Sequence, residues 1–64
     1  IDYSPIDYFI LMKTKKACEL LDNTEMKINQ ISQKLGFSDQ YYFSRKFSRI
    51  MGMSPASYRS RPRS

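Results

Sequence analysis

Apolar residues recur along this chain at helical intervals in three stretches. The clearest lies late. Phe43, Phe47 and Ile50 stand at i, i+4 and i+7, the spacing of a single helix face. Gln40, Tyr41, Ser44, Arg45, Ser48 and Arg49 fall largely off that stripe, and all are hydrogen-bonding or cationic side chains. Ser38 or Asp39 is placed to cap this helix, and Gly52 to end it, so a helix is predicted from 38 or 39 to about Met51. A shorter stripe precedes it. Ile28, Ile31 and Leu35 predict a helix over 28–35, with Thr24 and Asn29 as candidate N-caps. Gly36 closes that helix well, because glycine takes the left-handed backbone without a Cβ clash. Ser32 is small enough to let the following helix approach closely.

The first stretch is the longest. Ser4-Pro5-Ile6-Asp7 has a capping serine, a proline for the first helical position and an acid where a capping box places one. Phe9, Met12, Ala17, Leu20 and Leu21 then mark an apolar face, and Asp22-Asn23-Thr24 a stop. The predicted helix, Pro5 to Leu21, would be ~25 Å long at ~1.5 Å per residue, long enough to serve as a strut. After Gly52, Ser54-Pro55 repeats the cap-plus-proline start, and a short helix follows over Ala56 to Tyr58. The basic tail, 61–64, is expected to fray. The pattern is all-α, and Phe37, Tyr42, Phe43, Phe47, Met51 and Tyr58 are the candidate core of its C-terminal part.

Composition narrows the function. A chain of 64 residues makes one small domain, burying only ~60% of the surface its unfolded form exposes. No run of apolar residues is long enough for a membrane span. Cys18 is the only cysteine, so no disulfide forms within the chain, which fits a reducing, cytoplasmic setting. Histidine is absent and the two glycines are isolated. The commonest general base, the commonest metal ligand and any Gly-rich phosphate loop are therefore missing, and neither an enzyme nor a cofactor is expected.

The net charge of +5 is unevenly spread. Residues 1–26 hold three lysines against five acids, a net of −2. Residues 27–64 hold eight basic side chains against Asp39 alone, a net of +7. A one-sided positive charge points to a polyanion, nucleic acid first and anionic membrane second. A polar, cationic helix face entered by a tight turn from another helix is what reading a DNA major groove requires.

One repeat runs through the chain. Ser4-Pro5-Ile6-Asp7-Tyr8 matches Ser54-Pro55-Ala56-Ser57-Tyr58 as Ser-Pro-x-x-Tyr. The second copy directly follows a helix-turn-helix pattern. By analogy the first copy is expected to follow another such unit, upstream of Ile1.

Together these residues resemble the C-terminal part of the AraC/XylS family of bacterial transcription regulators. The likeness runs from Tyr3 to Arg59: Ser4-Pro5-x-x-Tyr8-Phe9, Lys13, Ala17 and Leu20-Leu21, then Ile28-x-x-Ile31-Ser32 and Gly36-Phe37, then Tyr42-Phe43-Ser44-Arg45-x-Phe47 and Gly52-x-Ser54-Pro55-x-x-Tyr58-Arg59. Lys13 stands where the family usually has Arg, Thr14 where it often has an apolar residue, and Ser32 where Ala is common. The resemblance implies two helix-turn-helix (homeodomain-like) subdomains joined by a long helix. On that expectation residues 1–24 are the tail of a first subdomain and the linker helix, 25–60 the second subdomain and 61–64 a basic tail. The first subdomain and any effector or sensor domain would lie upstream.

The resemblance also implies double-stranded DNA as partner, with RNA polymerase a further partner of the full-length protein. Carried over by position, Gln40, Tyr41, Ser44 and Arg45 are the base-facing candidates, in agreement with their place off the apolar stripe. Arg45 can bond guanine O6 and N7, and Gln40 adenine. Lys34, Ser38, Lys46, Arg49 and Arg59 are the phosphate-directed candidates, which set register but read no sequence. Arg59 has an alternative role, bonding carbonyls at a helix end. The competing function is a protein-interaction module that contacts RNA polymerase or a sister subunit with little base readout.

Overall fold

The computed structural model describes residues 5–62, which form four helices: α1 Pro5–Asn23, α2 Ile28–Lys34, α3 Gln40–Met51 and α4 Pro55–Ser60. Helix α1 packs on the other three, α2 packs on α3, and α4 closes against both α1 and α3.

The helix ends follow local chemistry. Asp39 caps α3, its Oδ1 accepting from the Tyr42 amide at 2.7 Å. Ser54 caps α4 by accepting from the Ser57 amide at 3.1 Å, and Pro55 follows it, buried. Gly52 ends α3 with φ +79°, donating its amide to Ser48 O at 2.8 Å. The expected Ser4 cap of α1 lies outside the described residues. Neither Thr24 nor Asn29 caps α2; Lys27 takes the N-cap position. Its side chain accepts nothing there. Instead Gln30 reaches back, its Oε1 accepting from the Lys27 amide at 2.9 Å. Thr24 organises the preceding turn: its hydroxyl donates to Leu20 O at 2.6 Å and accepts from the Met26 amide at 3.2 Å.

The core is Ala17 and Leu21 from α1, Ile31 from α2, Phe37 from the turn, and Phe43 and Phe47 from α3. Its aromatic rings form a chain of tilted contacts. Phe37 and Phe43 centroids lie 5.1 Å apart, Phe43 and Phe47 5.9 Å, and Phe47 meets Tyr58 edge-on at 5.6 Å. These spacings lie in the favourable range for aromatic pairs. Thr14 is buried too. Its hydroxyl donates back one turn to Ile10 O at 2.8 Å, so the polar group is satisfied within its own helix.

Several apolar expectations fail. Phe9 is 61% exposed and Met12 48%, because both lie off the face of α1 on which Ile10, Thr14, Ala17 and Leu21 meet the core. Ile50 ends the α3 stripe at the surface, and Met51 is the residue that turns inward. Tyr42 is also exposed rather than in the core. The tail begins differently from the expected frayed segment. Arg61 bonds Asp22 at 3.2 Å and lies over the Tyr58 ring at 3.7 Å from its centroid.

Candidate nucleic-acid interface

The turn between α2 and α3 sets the site. The Gly36 amide donates to Gln33 O and the Phe37 amide to Ser32 O, both at 3.0 Å. With Gly36 at φ +87°, this is a Schellman closure of α2, satisfying carbonyls that a helix end would otherwise leave open. The chain then turns sharply. Phe37 drops into the core, Asp39 caps α3, and the helix starts with its polar face outward.

Ser32 makes the close approach possible, as expected, and is buried to 1% exposure. Its backbone oxygen takes part in the turn, but its Oγ has no hydrogen-bond partner. A buried hydroxyl without a partner costs about 1–3 kcal/mol.

Five expected site residues, Tyr41, Ser44, Arg45, Lys46 and Arg49, line an open concavity of about 570 Å³ together with Tyr42 and Ser48. Gln40 is exposed at the first position of α3 and is outside that lining. Two aromatic–cation pairs run along this surface at one-turn spacing. The Arg45 guanidinium carbon lies 5.7 Å from the Tyr41 ring centroid, and Lys46 Nζ lies 5.5 Å from that of Tyr42. Both are within cation–π range. Neither pair was anticipated, although an aromatic residue four positions before a cation is legible in Tyr41–Arg45 and Tyr42–Lys46 once α3 is placed.

The phosphate-directed candidates divide. Lys34, Ser38 and Arg49 are exposed and Lys46 half-buried. Lys46 and Arg49 also line a second concavity, of about 580 Å³, with Asp7, Ile10, Leu11 and Ile50. Arg59 is engaged within the fold. Its Nε donates to Leu21 O at 3.2 Å, its Nη2 to Thr24 O at 3.1 Å and Leu20 O at 3.5 Å, and its Nη1 to Met26 O. The guanidinium is engaged by carbonyls at the C-terminal end of α1, where the helix dipole also favours a cation. This is its alternative role, and the reason is geometric: α4 delivers Arg59 to the open carbonyls of α1.

A second cation is held from behind. Lys13 Nζ lies 4.8 Å from the Phe9 ring centroid and 5.1 Å from that of Phe37. It ties α1 to the turn that precedes α3. At the opposite end, Tyr58 donates to Asp22 Oδ2 at 3.4 Å. Hydrogen bonding with Cys18, and then burial, push the Tyr58 phenol above its ordinary value of 10.0. Hydrogen bonding to Asp22 raises the pKa of Arg61 likewise.

A family of helix-turn-helix domains matches residues 1–61. The MmsAB operon regulatory protein of Pseudomonas aeruginosa is 45% identical over 60 residues, covering 94% of this chain and 20% of that protein. The transcriptional activator RhaR of Klebsiella pneumoniae is 49% identical over 56 residues, covering 88% of this chain and 20% of that protein. The chain therefore spans about a fifth of these relatives' length. Among solved structures, the C-terminal domain of AraT, a response regulator from Geobacillus stearothermophilus, superposes with a TM-score of 0.87 at 40% identity. That match covers 97% of this chain and 52% of the other. No helix among the described residues is long and apolar enough to cross a membrane.

Proposed function

Because the chain belongs to the AraC/XylS family of helix-turn-helix regulators, we propose that it binds double-stranded DNA sequence-specifically within a transcription regulator, with α3 in the major groove. The outer face of α3 carries this reading: Tyr41, Ser44, Arg45, Lys46 and Arg49 share one open surface while Phe43 and Phe47 hold the opposite face in the core. Gln40, Tyr41, Ser44 and Arg45 are the base-facing set. Lys34, Ser38, Lys46 and Arg49 are phosphate-directed. Major-groove readers divide labour in this way, since phosphate contacts position the protein and base contacts give specificity. RNA polymerase is a further partner of the full-length regulator on this proposal, and the setting is cytoplasmic.

Residues 25–60 act as the second of two reading units. The repeat supports this. In the second copy, Tyr58 packs edge-on against Phe47 of the preceding helix. In the first, the matching Tyr8 is exposed, as are Ile6, Phe9 and Met12. An upstream helix-turn-helix unit seated on this half of α1 would give Tyr8 the place that Tyr58 already has.

The test compares binding to a selected operator with binding to random duplex DNA, across a salt series, using the full-length protein. Arg45→Ala should weaken operator binding roughly 5- to 150-fold, the equivalent of ~1–3 kcal/mol for a bidentate base contact, and leave random-DNA binding nearly unchanged. Lys46→Ala should weaken both and lower the salt slope by about one. Equal loss on both DNAs for Arg45→Ala would make Arg45 a phosphate contact.

A further inference from the structure

Tyr41 is the most exposed large apolar residue among those described, at 72%. Its notable neighbour is Arg45, one helical turn on, whose guanidinium carbon lies 5.7 Å from the ring centroid. Both residues line the open surface of α3. Tyr42 and Lys46 form a second such pair alongside it, at 5.5 Å. There the ring also packs against Phe37, at 6.0 Å between centroids, so Tyr42 also has a task in the fold.

We infer that Tyr41 is a positioning residue for Arg45: its ring stacks the guanidinium before DNA arrives, and so sets how strongly guanine is preferred at the base Arg45 meets. This rests on the reading of Arg45 as a base contact. A free arginine samples many rotamers, and ordering it on binding opposes affinity. A ring one turn away narrows that sampling in advance, which is the general benefit of preorganisation. The two interactions are compatible. Guanine O6 and N7 accept from the edge of the guanidinium, which leaves its faces free to remain on the ring. An exposed cation–π pair corresponds to roughly a 2- to 5-fold bias, and that is the size of effect to look for.

The experiment is selection of binding sites from random duplex DNA by the full-length protein and its variants, read as base preference at each position. Arg45→Ala should abolish guanine preference at one position, which identifies it. At that same position Tyr41→Phe, which keeps the ring, should preserve the preference, while Tyr41→Leu and Tyr41→Ala should reduce it about 2- to 5-fold. If Arg45→Ala removes a preference and Tyr41→Ala leaves it intact, the positioning role fails while base reading by Arg45 stands. If Arg45→Ala changes no preference, base reading fails and the positioning role with it. A Tyr41→Ala effect confined to a different base, or shared by Tyr41→Phe, would also overturn the inference, because Tyr41 would then act through its own hydroxyl or base contact and not through Arg45.

Discussion

Arg59 offers the sharpest stability prediction, because one side chain holds the end of α1, the turn after it and α4 together. Its guanidinium donates to four carbonyls, those of Leu20, Leu21, Thr24 and Met26. Charge-assisted hydrogen bonds contribute about 1.5–3 kcal/mol each when removed singly. They do not add here. All four share one half-buried side chain, and the Leu20 contact, at 3.5 Å, is at the limit of a hydrogen bond. The carbonyls can also rehydrate in part. Two or three effective bonds at about 1 kcal/mol each give a loss of ~2–3 kcal/mol for Arg59→Ala. A domain of this size has only ~3–10 kcal/mol in total. Arg59→Lys keeps a cation beside the α1 terminus but loses the planar fork, so it should recover about half. Urea unfolding of the purified chain, followed by far-UV circular dichroism, measures both. A loss under ~0.5 kcal/mol for Arg59→Ala would mean water serves those carbonyls equally well and would refute the clamp. A fall of about one in the DNA salt slope of Arg59→Ala would instead return Arg59 to the phosphate-contacting set.

Three further outcomes follow from the same structure. Ser32→Ala removes a buried hydroxyl that has no partner, so it should stabilise the fold by ~1 kcal/mol in urea unfolding; destabilisation would mean the hydroxyl is bonded after all. The raised Tyr58 pKa makes the neutral phenol part of the fold: stability is fully present below the unfolded value of 10.0 and falls as pH rises from there through the folded-state value. Tyr58→Phe should lose that component of the alkaline decline, which unfolding midpoints on either side of pH 10.0 would reveal. In the full-length regulator, Phe9 and Met12 should be protected from solvent by the proposed upstream unit. Oxidation of Met12 should then be slower there than in the 64-residue chain, and equal rates would count against that seat.

Much of the fold was legible because its ends are written in local chemistry. Asp39, Gly52 and Ser54-Pro55 bound α3 and α4 where sequence placed them, since cap and breaker residues act on their immediate neighbours. The start of α2 was less legible. Lysine offers no acceptor at Lys27, and the signal was Gln30 three residues later. Periodicity identified the apolar face of α1 but not its coverage. Phe9 and Ala17 belong to one pattern, yet Ala17 is buried in the core and Phe9 is exposed. Arg59 shows the limit at the candidate site. A guanidinium suits a phosphate and a helix-end carbonyl equally, and only the placement of α4 against α1 decides between them. The α3 face was more legible, because a cation or amide off the apolar stripe must project outward once Phe43 and Phe47 are buried.

On the proposed reading, Arg45 on α3 meets a base edge in the major groove. The most direct measurement replaces each operator guanine in turn by 7-deazaguanine, which lacks the N7 acceptor, and measures binding of the full-length wild type and Arg45→Ala. One guanine should emerge whose replacement weakens the wild type but has no further effect on Arg45→Ala. If every replacement weakens both proteins equally, Arg45 does not read a guanine edge and the assignment of α3's base-facing set is wrong.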